Sequence, residues 1–240
     1  MSQSSFKDLS KAVHEKNVAK VKRLVKLGGS VISPFTNYTL FHICAQNGYA
    51  DMIKALSTSK AYVNNAVNDG ATPVYIAAEN GHVDAIKALC ALGAGVNISD
   101  NAGWSPLHVA VQESHVDVVK TLCALGADVN ISNNDDATPV FIAAQNGHVD
   151  VVKALCAFKA DVNISDKDGV TPVFIAAHDG HVDAIKALCA LGADVNIPNK
   201  NGVTPVYIAA QNGHVDAIKA LCAVGADVNT PKKDGATPVY

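Results

Sequence analysis

The amino-acid sequence predicts an all-α fold, a solenoid of stacked helix-turn-helix units joined by extended turns. Two observations support this class. A seven-residue motif recurs every 33 residues, at Thr72–Ala78, Ser105–Val111, Thr138–Ala144, Thr171–Ala177 and Thr204–Ala210. A second block, such as Asn146–Leu155, follows each motif and leads to a Gly-Ala-Asp-Val-Asn type of ending. The 240 residues are therefore expected to form a series of stacked repeats rather than one or two compact domains.

The first 35 residues differ from the rest in charge. They contain seven Lys/Arg and two Asp/Glu, a balance of +5, whereas the remaining residues hold 12 basic and 20 acidic residues, a balance of -8. The segment Asn17–Gly28 aligns with His82–Gly93 of a full repeat, so we expect a diverged first unit. Its lysines would give the outer surface the polarity that a terminal capping repeat needs.

The longest uncharged run, Leu27–Ala50, is long enough to cross a bilayer. It contains glycines, a proline and several amides, which favour a loop between two short helices. The sequence does not open on a positive run followed by an apolar stretch. We therefore expect no secretory signal and no membrane insertion.

The first helix of each full repeat is predicted from its start signal. Thr171 is a good N-cap because its hydroxyl accepts an amide hydrogen bond. Pro172 fits the first helical position, where its missing N–H costs nothing. We expect this helix to end near His178, because Gly180 follows.

The second helix is predicted from apolar spacing. Val182, Ile185 and Leu188 recur at intervals of three residues, and Asp183 lies in the first turn, where the helix dipole favours an anion. Gly192 is expected to close the helix in the left-handed conformation. One such helix pair cannot bury its apolar face alone, whereas stacked copies can.

These repeats closely resemble the ankyrin-repeat family. The Thr-Pro-Leu-His-x-Ala motif, the Gly-His pair and the Gly-Ala-Asp-Val-Asn ending occur at the family's period of 33 over nearly the whole chain. The resemblance implies an ankyrin-repeat solenoid whose units are joined by β-turn fingers. We accordingly divide the chain into a capping unit at 1–35, six repeats at 36–230 and the start of a further, truncated repeat at 231–240.

Several positions depart from the family's pattern. The motif histidine is kept at His42 and His108. An aromatic residue replaces it in the other units, at Tyr75, Phe141, Phe174, Tyr207 and Tyr240. Lys60 and Lys159 stand where a left-handed glycine is expected, which costs about 1 kcal/mol each if that conformation is kept. Two other glycines of the pattern are replaced, by Ser114 and Asp136.

Histidines and cysteines form two ladders with the same period. Equivalent side chains of stacked helices lie about 8–10 Å apart, too far to share a tetrahedral zinc or to form a disulfide. We expect turn-stabilising histidines, as the family resemblance implies, and reduced, packed thiols, with no metal site. The ladders are His82, His115, His148, His181 and His214, and Cys90, Cys123, Cys156, Cys189 and Cys222.

The sequence contains no pattern that supports catalysis. The recurring Asp-x-x-Lys pairs, such as Asp183 and Lys186, could form an acid-base array, but solvated ion pairs three residues apart explain them better. There is no Gly-rich phosphate loop, Gly-x-Ser-x-Gly turn or His-Glu-x-x-His motif. We predict a protein that is not an enzyme and needs no cofactor.

Contact residues are sought at positions that vary between repeats, since recurring positions hold the fold. The residue just before the motif is aromatic in two repeats, where it is Trp104 and Tyr38. Trp104 is the only tryptophan in the sequence, and Phe35 lies in the same loop as Tyr38. The family resemblance implies that this position lies on a finger facing the concave groove, where an aromatic side chain can anchor a partner. The alternative is that Trp104 packs on the neighbouring finger.

The other candidate contact residues lie in the fingers and at the ends of the first helices. Most are acidic or amide, so we expect a partner that is basic or rich in hydrogen-bond donors. The alternative is a surface that serves only solubility. The set comprises Asp69, Glu79, Asn101, Gln112, Glu113, Asp135, Gln145, Lys167, Asp168, His178, Lys200 and Gln211.

The leading functional hypothesis is a cytoplasmic, non-enzymatic scaffold or adaptor that binds a partner protein through its concave finger and first-helix face. An alternative is the targeting module of a longer enzyme or host-directed effector, since residues 237–240 begin another repeat. We expect no binding to nucleic acid, because the body of the chain carries a charge of -8.

Two further expectations concern the turns and the last repeat. The Val-Asn asparagines, such as Asn163, could be hydroxylated, although turn formation explains them as well. The unit that begins at Thr204 presents an unpaired apolar face. We expect this unit to fray first or to mediate self-association.

Overall fold

The computed structural model describes residues 3–33, 37–233 and 235–237, with side chains from residue 6 onward. Within these residues the chain forms helices, and one isolated β-bridge joins Ile32 and Thr39. The predicted all-α class is confirmed. The α-helices are α1 Gln3–His14, α2 Val18–Lys26, α3 Leu40–Gln46, α4 Ala50–Ala55, α5 Pro73–Glu79, α6 Val83–Ala91, α7 Pro106–Gln112, α8 Val116–Ala124, α9 Pro139–Gln145, α10 Val149–Ala157, α11 Pro172–His178, α12 Val182–Ala190, α13 Pro205–Gln211 and α14 Val215–Ala223. A 3-10 helix, Ser57–Tyr62, lies between α4 and α5.

The helices come in pairs, and we call the first of each pair the inner helix and the second the outer helix. The inner helices α5, α7, α9, α11 and α13 begin as predicted. Each has an extended Thr or Ser N-cap followed by proline. The N-cap oxygen accepts a hydrogen bond from the amide three residues on, at 3.3–3.4 Å. The predicted end of α11 at His178 is confirmed.

The outer helices from α6 onward are nine residues long and end in a left-handed turn. Gly93, Gly126, Gly192 and Gly225 adopt φ of 90–94° there, and a Cβ built on any of them meets no atom within 4 Å. The backbone angle alone therefore selects glycine. Lys159 occupies the same position with φ of 68°, so the predicted strain is present at this lysine.

The repeat that contains α3 and α4 departs from this pattern. Its outer helix α4 ends at Ala55, and the chain continues as the 3-10 helix, in which Ser59 has non-helical backbone angles. Lys60 lies in this segment and does not adopt a positive φ, so the cost considered for a left-handed lysine does not arise.

The predicted loop at Leu27–Ala50 is wrong in its second half. Thr39 caps α3 there, and Phe41 is fully buried.

Two compact units, Met1–Ala127 and Asp128–Tyr240, divide the chain. In the first unit, inner helices α3, α5 and α7 pack in succession, as do outer helices α2, α4, α6 and α8. In the second unit, α9, α11 and α13 pack in the same way, as do α10, α12 and α14. Both cores are mainly aliphatic, with 0% exposure at positions such as Ile86 and Leu122 in the first unit and Val152 and Leu188 in the second.

Some sequence predictions fall outside this description. Phe35 and Tyr240 are not among the described residues. The division into a capping unit at 1–35, six repeats and a truncated repeat stays a prediction, although α1 and α2 do form a helix pair. None of the helices in the described part of the chain combines the length and apolar character that a bilayer-spanning helix requires.

Candidate functional site

The fingers are the turns before the inner helices, at residues 67–71, 100–104, 133–137, 166–170 and 199–203. Four of them are built around an aspartate or asparagine at the first position. Its side-chain oxygen accepts hydrogen bonds from the amides two and four residues on, at 2.8–3.0 Å. The residues are Asp100, Asn133, Asp166 and Asn199. Sequence reasoning missed this role, although a carboxamide or carboxylate every 33 residues is its signal.

Backbone hydrogen bonds join successive fingers within each unit. In the first unit, the Asn101 amide donates to the Asp69 carbonyl at 2.8 Å. In the second, Lys167 donates to Asp135 at 3.2 Å and Lys200 donates to Asp168 at 3.0 Å. The structure thus brings six predicted contact residues together in pairs, which the sequence pattern did not predict.

Lysine side chains reinforce the fingers of the second unit. The Lys167 ammonium donates to Asp135 Oδ1 at 2.5 Å, and the Lys200 ammonium donates to the carbonyl of Lys167. The hydrogen bond and the charge of Asp135 raise the pKa of Lys167. Both lysines therefore donate to the neighbouring finger, and each has fewer N–H groups left to bind a partner.

The exposed C-terminal ends of the inner helices carry the second group of predicted contact residues. Glu79, Gln112, Gln145, His178 and Gln211 are the last residues of α5, α7, α9, α11 and α13. All five side chains are exposed. In each repeat, such a residue lies at the end of the inner helix opposite to the finger.

The histidine ladder holds these helix ends in place. The His115 Nε2 donates to the Glu79 carbonyl at 3.0 Å, and His181 and His214 bind the carbonyls of Gln145 and His178 at 3.0 and 2.9 Å. Each imidazole thus caps the inner helix of the preceding repeat. The prediction of turn-stabilising histidines is confirmed for these three positions and for His82, which binds the Gln46 carbonyl at 3.1 Å.

Glycine is favoured where each of these imidazoles approaches the preceding turn, although Ser114 occupies the equivalent position before His148 with φ of 57°. A Cβ built on Gly48 would lie 2.8 Å from the Nδ1 atom of His82, and one on Gly147 would lie 2.8 Å from that of His181. Both glycines also have φ near 70°. The Gly-His pattern is therefore explained by packing and backbone angle together.

Trp104 and Tyr38 pack on the two motif histidines. The Tyr38 ring stacks on His42 with centroids 4.9 Å apart, and Trp104 tilts against His108 at 5.7 Å. Both aromatic residues are half-buried, and the Tyr38 hydroxyl donates to Gln46 Oε1 at 3.0 Å. Each ring thus lies against its own repeat and keeps part of its surface open to solvent.

The aromatic residue changes place between two kinds of repeat. Where the fourth residue of the motif is histidine, as at His42 and His108, the residue just before the motif is aromatic, Tyr38 or Trp104. Where the fourth residue of the motif is itself aromatic, the residue just before the motif is alanine or valine. These pairs are Ala71 with Tyr75, Ala137 with Phe141, Val170 with Phe174 and Val203 with Tyr207. Every full repeat therefore has one aromatic residue at one of these two positions.

Charge is distributed differently in the two units. In the first, Asp69, Asp100, Glu79 and Glu113 lie in the fingers and at inner-helix ends, and no Lys or Arg occurs at 61–86 or 88–119. In the second unit, Lys167 and Lys200 accompany the finger carboxylates. The predicted acidic or amide surface is therefore most uniform in the first unit.

The carboxylates of the first unit influence one another. Partial burial raises the pKa of Glu79, and the charges of Glu113 and Asp69 raise it further. Burial also raises the pKa of Tyr75, whose hydroxyl donates to Asp100 Oδ2 at 3.3 Å. A cation placed here would relieve the repulsion among these carboxylates.

The thiols and charged pairs show no reactive arrangement in the described residues. The cysteines are free, and burial raises the thiol pKa of Cys44 to about 12 and of Cys123 to about 11, which keeps them protonated. Cys222 is exposed, which corrects the prediction that every thiol is packed. The exposed Asp183 and Lys186 form the predicted solvated ion pair, and no group of three His, Cys, Asp or Glu in this part of the chain could hold a metal.

Comparison with known proteins agrees with this geometry. A family model described as ankyrin repeats, in three copies, matches residues 41–133, 124–199 and 191–240. The chain belongs to the ankyrin-repeat family, whose members are in general protein-protein interaction modules and typically not catalytic. It is similar to the crystal structure of the human ASB11 ankyrin repeat domain, with 27% identity, a TM-score of 0.75 and coverage of 84% of this chain and 90% of that one. Comparison with curated proteins gives no match.

Proposed function

We propose that this chain is a non-enzymatic scaffold or adaptor that binds a partner protein through its fingers and inner-helix ends. The first unit carries the main contact, with Trp104 and Tyr38 as aromatic anchors. The partner presents a basic or donor-rich segment to the neighbouring carboxylates. One observation carries this proposal, the carboxylates at Asp69, Asp100, Glu79 and Glu113 in a stretch of fingers and inner helices that has no basic residue.

The physical basis of the proposal is complementarity in charge and shape. Clustered carboxylates attract a cationic segment and speed its approach, and that attraction weakens as salt rises. Half-buried aromatic rings contribute apolar area at low entropic cost, because they are already held against His42 and His108. The surface thus combines charge steering with preformed anchors.

Proximity labelling should first identify partners of the whole chain, and purified partner should then be titrated against variants. Glu79→Gln with Glu113→Gln should weaken binding about tenfold at low salt and less at high salt. Asp150→Asn is the matched control, because that exposed carboxylate pairs with Lys153 on an outer helix. Equal effects of the two changes would contradict the proposed surface.

Trp104 needs a test that separates contact from packing. Trp104→Ala alone removes the ring from His108, so lost binding could reflect a loosened repeat. The double variant Trp104→Ala with His108→Tyr recreates the Ala71 and Tyr75 arrangement present elsewhere in the chain. We expect this double variant to retain thermal stability and to bind the partner about tenfold more weakly. Full recovery of binding would assign Trp104 to packing alone.

A further inference from the structure

A cleft of about 710 Å³ lies in the first unit, and its lining includes no residue of the five fingers defined above. Helix α2 and the turn that follows it form one side, and the 3-10 helix Ser57–Tyr62 forms the other. We propose that this cleft binds a phosphate monoester, presented as a phosphoserine or phosphothreonine of a partner protein. The site is independent of the finger surface and does not rest on the function proposed for it.

The cleft is positively charged. Lys22 and Lys26 line it, and none of its lining residues is acidic. Lys20, on the same helix, is paired with Glu15 at 3.1 Å, whereas Lys22 and Lys26 form no ion pair with any described residue. Two lysine charges are therefore available to an anion.

Hydroxyl groups complete the lining. Ser57, Thr58, Ser59 and Tyr62 contribute side chains that make no hydrogen bond to other described residues. Ser30, in contrast, already donates to the Ile32 carbonyl at 3.1 Å. Residues with O–H groups and two lysines thus line one space, and phosphate oxygens accept hydrogen bonds from both kinds of donor.

One side of the cleft is formed where the repeat that contains α3 and α4 departs from the regular pattern. In later repeats the outer helix continues for nine residues to a left-handed turn, whereas α4 ends after six and gives way to the 3-10 helix. That change places three consecutive hydroxyl residues, Ser57, Thr58 and Ser59, opposite the basic helix α2. This irregular segment and the basic helix α2 therefore line the same cleft.

A neighbouring cleft of about 860 Å³ provides the contrast. Lys16, Lys54 and Lys87 line it together with Asp51 and Asp84, and Lys54 lies 3.2 Å from Asp51. Its cations are offset by carboxylates within the same space. The two clefts therefore differ in charge and in their hydroxyl-bearing residues, and the larger one is a control for lysines outside the proposed site.

The charge and the walls of the cleft favour a phosphorylated side chain over a lipid headgroup. Two lysines balance the charge of about -2 on one phosphate monoester, whereas a polyphosphorylated inositol carries more. Val25, Ile32 and Tyr62 provide apolar walls beside the lysines. Such walls suit the neighbouring residues of a peptide and give it contacts that inorganic phosphate lacks.

The test is an amide chemical-shift titration of the whole chain at constant ionic strength. The probes are an Ala-Gly heptapeptide with a central phosphoserine, its unphosphorylated twin, and inorganic phosphate. We expect saturable shifts at Gly28, Gly29 and Ser57–Ser59 with the phosphopeptide. Inorganic phosphate should bind more weakly, and the unphosphorylated peptide should not bind. Equal binding of the two peptides, or shifts confined to other residues, would overturn the proposal.

Charge variants and a membrane probe complete the test. Lys22→Ala with Lys26→Ala should weaken phosphopeptide binding at least tenfold, and the corresponding double change to arginine should retain it. Lys54→Ala with Lys87→Ala, in the control cleft, should leave it unchanged. Equal loss in both alanine pairs would overturn the assignment. So would binding to phosphatidylcholine vesicles containing phosphatidylinositol bisphosphate without binding to the phosphopeptide.

Discussion

At the scale of single residues, Lys159 carries backbone strain that its counterparts avoid. Its φ is 68°, whereas glycine occupies the same position in the four other regular repeats. We expect Lys159→Gly to raise the free energy of unfolding by about 1 kcal/mol, because glycine adopts this angle without a steric penalty. Urea denaturation followed by circular dichroism measures the change.

Lys60 is the matched control for this substitution. It occupies the corresponding place in the sequence pattern but lies in the 3-10 helix without a positive φ. Glycine there should give no gain and should lower stability by about 0.5–1 kcal/mol through the added freedom of the unfolded chain. A gain at Lys60 as large as that at Lys159 would show that backbone angle is not the cause.

His42 should make stability depend on pH. It is fully buried, its Nδ1 accepts the Thr39 N–H at 3.0 Å, and Tyr38 stacks on its ring. Burial lowers the pKa of His42 from 6.5 to about 4, although Asp69 acts in the opposite direction. Below pH 6.5 the imidazole of His42 is therefore protonated in the unfolded chain but stays neutral in the folded chain. The free energy of unfolding consequently falls as the pH falls from 6.5 to 4.

The expected loss is about 3 kcal/mol over that range, at about 1.4 kcal/mol per pH unit. Urea denaturation at several pH values should be compared between the natural chain and the double variant Tyr38→Ala with His42→Tyr. This variant copies the pair Ala71 and Tyr75 of the next repeat. If both proteins lose the same stability between pH 6.5 and 4, His42 is not responsible.

At the scale of helices and turns, asparagine side chains join successive repeats. The Asn163 amide donates to the Gly192 carbonyl at 3.2 Å, and its Oδ1 accepts from the Asp194 amide at 2.8 Å. Asn163→Ala should lower the free energy of unfolding by about 1–2 kcal/mol, because two hydrogen bonds between repeats are lost. Chemical denaturation measures this cost.

Asn229 occupies the same position in the last described repeat and serves as the control. Its side-chain amide forms no hydrogen bond to another described residue, although its backbone amide donates to Asp227 at 2.8 Å. Asn229→Ala should change stability by less than about 0.5 kcal/mol. Similar costs at both asparagines would mean that turn formation, and not the link between repeats, accounts for them.

The helices were more predictable than the turns. Thr171 and Pro172 define the start of α11 by local chemistry, so its range follows from sequence alone. The bond from the Lys167 amide to the Asp135 carbonyl joins residues 32 positions apart, and no local pattern specifies such a pair. The 3-10 helix was missed for a related reason, since nothing in Ser57–Tyr62 marks the break in α4.

At the scale of the whole molecule, the last helix pair is the least protected part of the second unit. Val215 is 58% exposed and Val224 is 51% exposed, and Ile218 is partly exposed where Ile185 is fully buried. We expect the amides of α13 and α14 to exchange with deuterium faster than those of α11 and α12. Equal protection of the two pairs in a monomer would contradict this prediction.

The same exposed surface bears on self-association. A second copy that covers Val215 and Val224 would bury apolar area that the single chain leaves in water. Sedimentation velocity over a range of concentrations would test this, with Val215→Lys as the variant that blocks it. If the chain sediments as a monomer at every concentration, it does not self-associate through this surface.

The candidate binding surface was predictable only in part. Asp69, Glu79 and Glu113 were selected because they vary between repeats, and the structure places them at fingers and inner-helix ends. The contact of Trp104 with His108 depends on side-chain orientation, which the repeat pattern does not specify. The difference in charge between the two units depends on which repeats pack together, and the repeat pattern does not specify that division.

The hydrogen bonds between fingers have a thermodynamic consequence. Loops that are mobile before binding lose conformational freedom when a partner holds them, and this loss opposes association. In each unit the fingers are already fixed to their neighbours, as by the bond from Asn101 to Asp69. The proposed contact surface is thus preorganised, so a partner that binds there need not first order these loops.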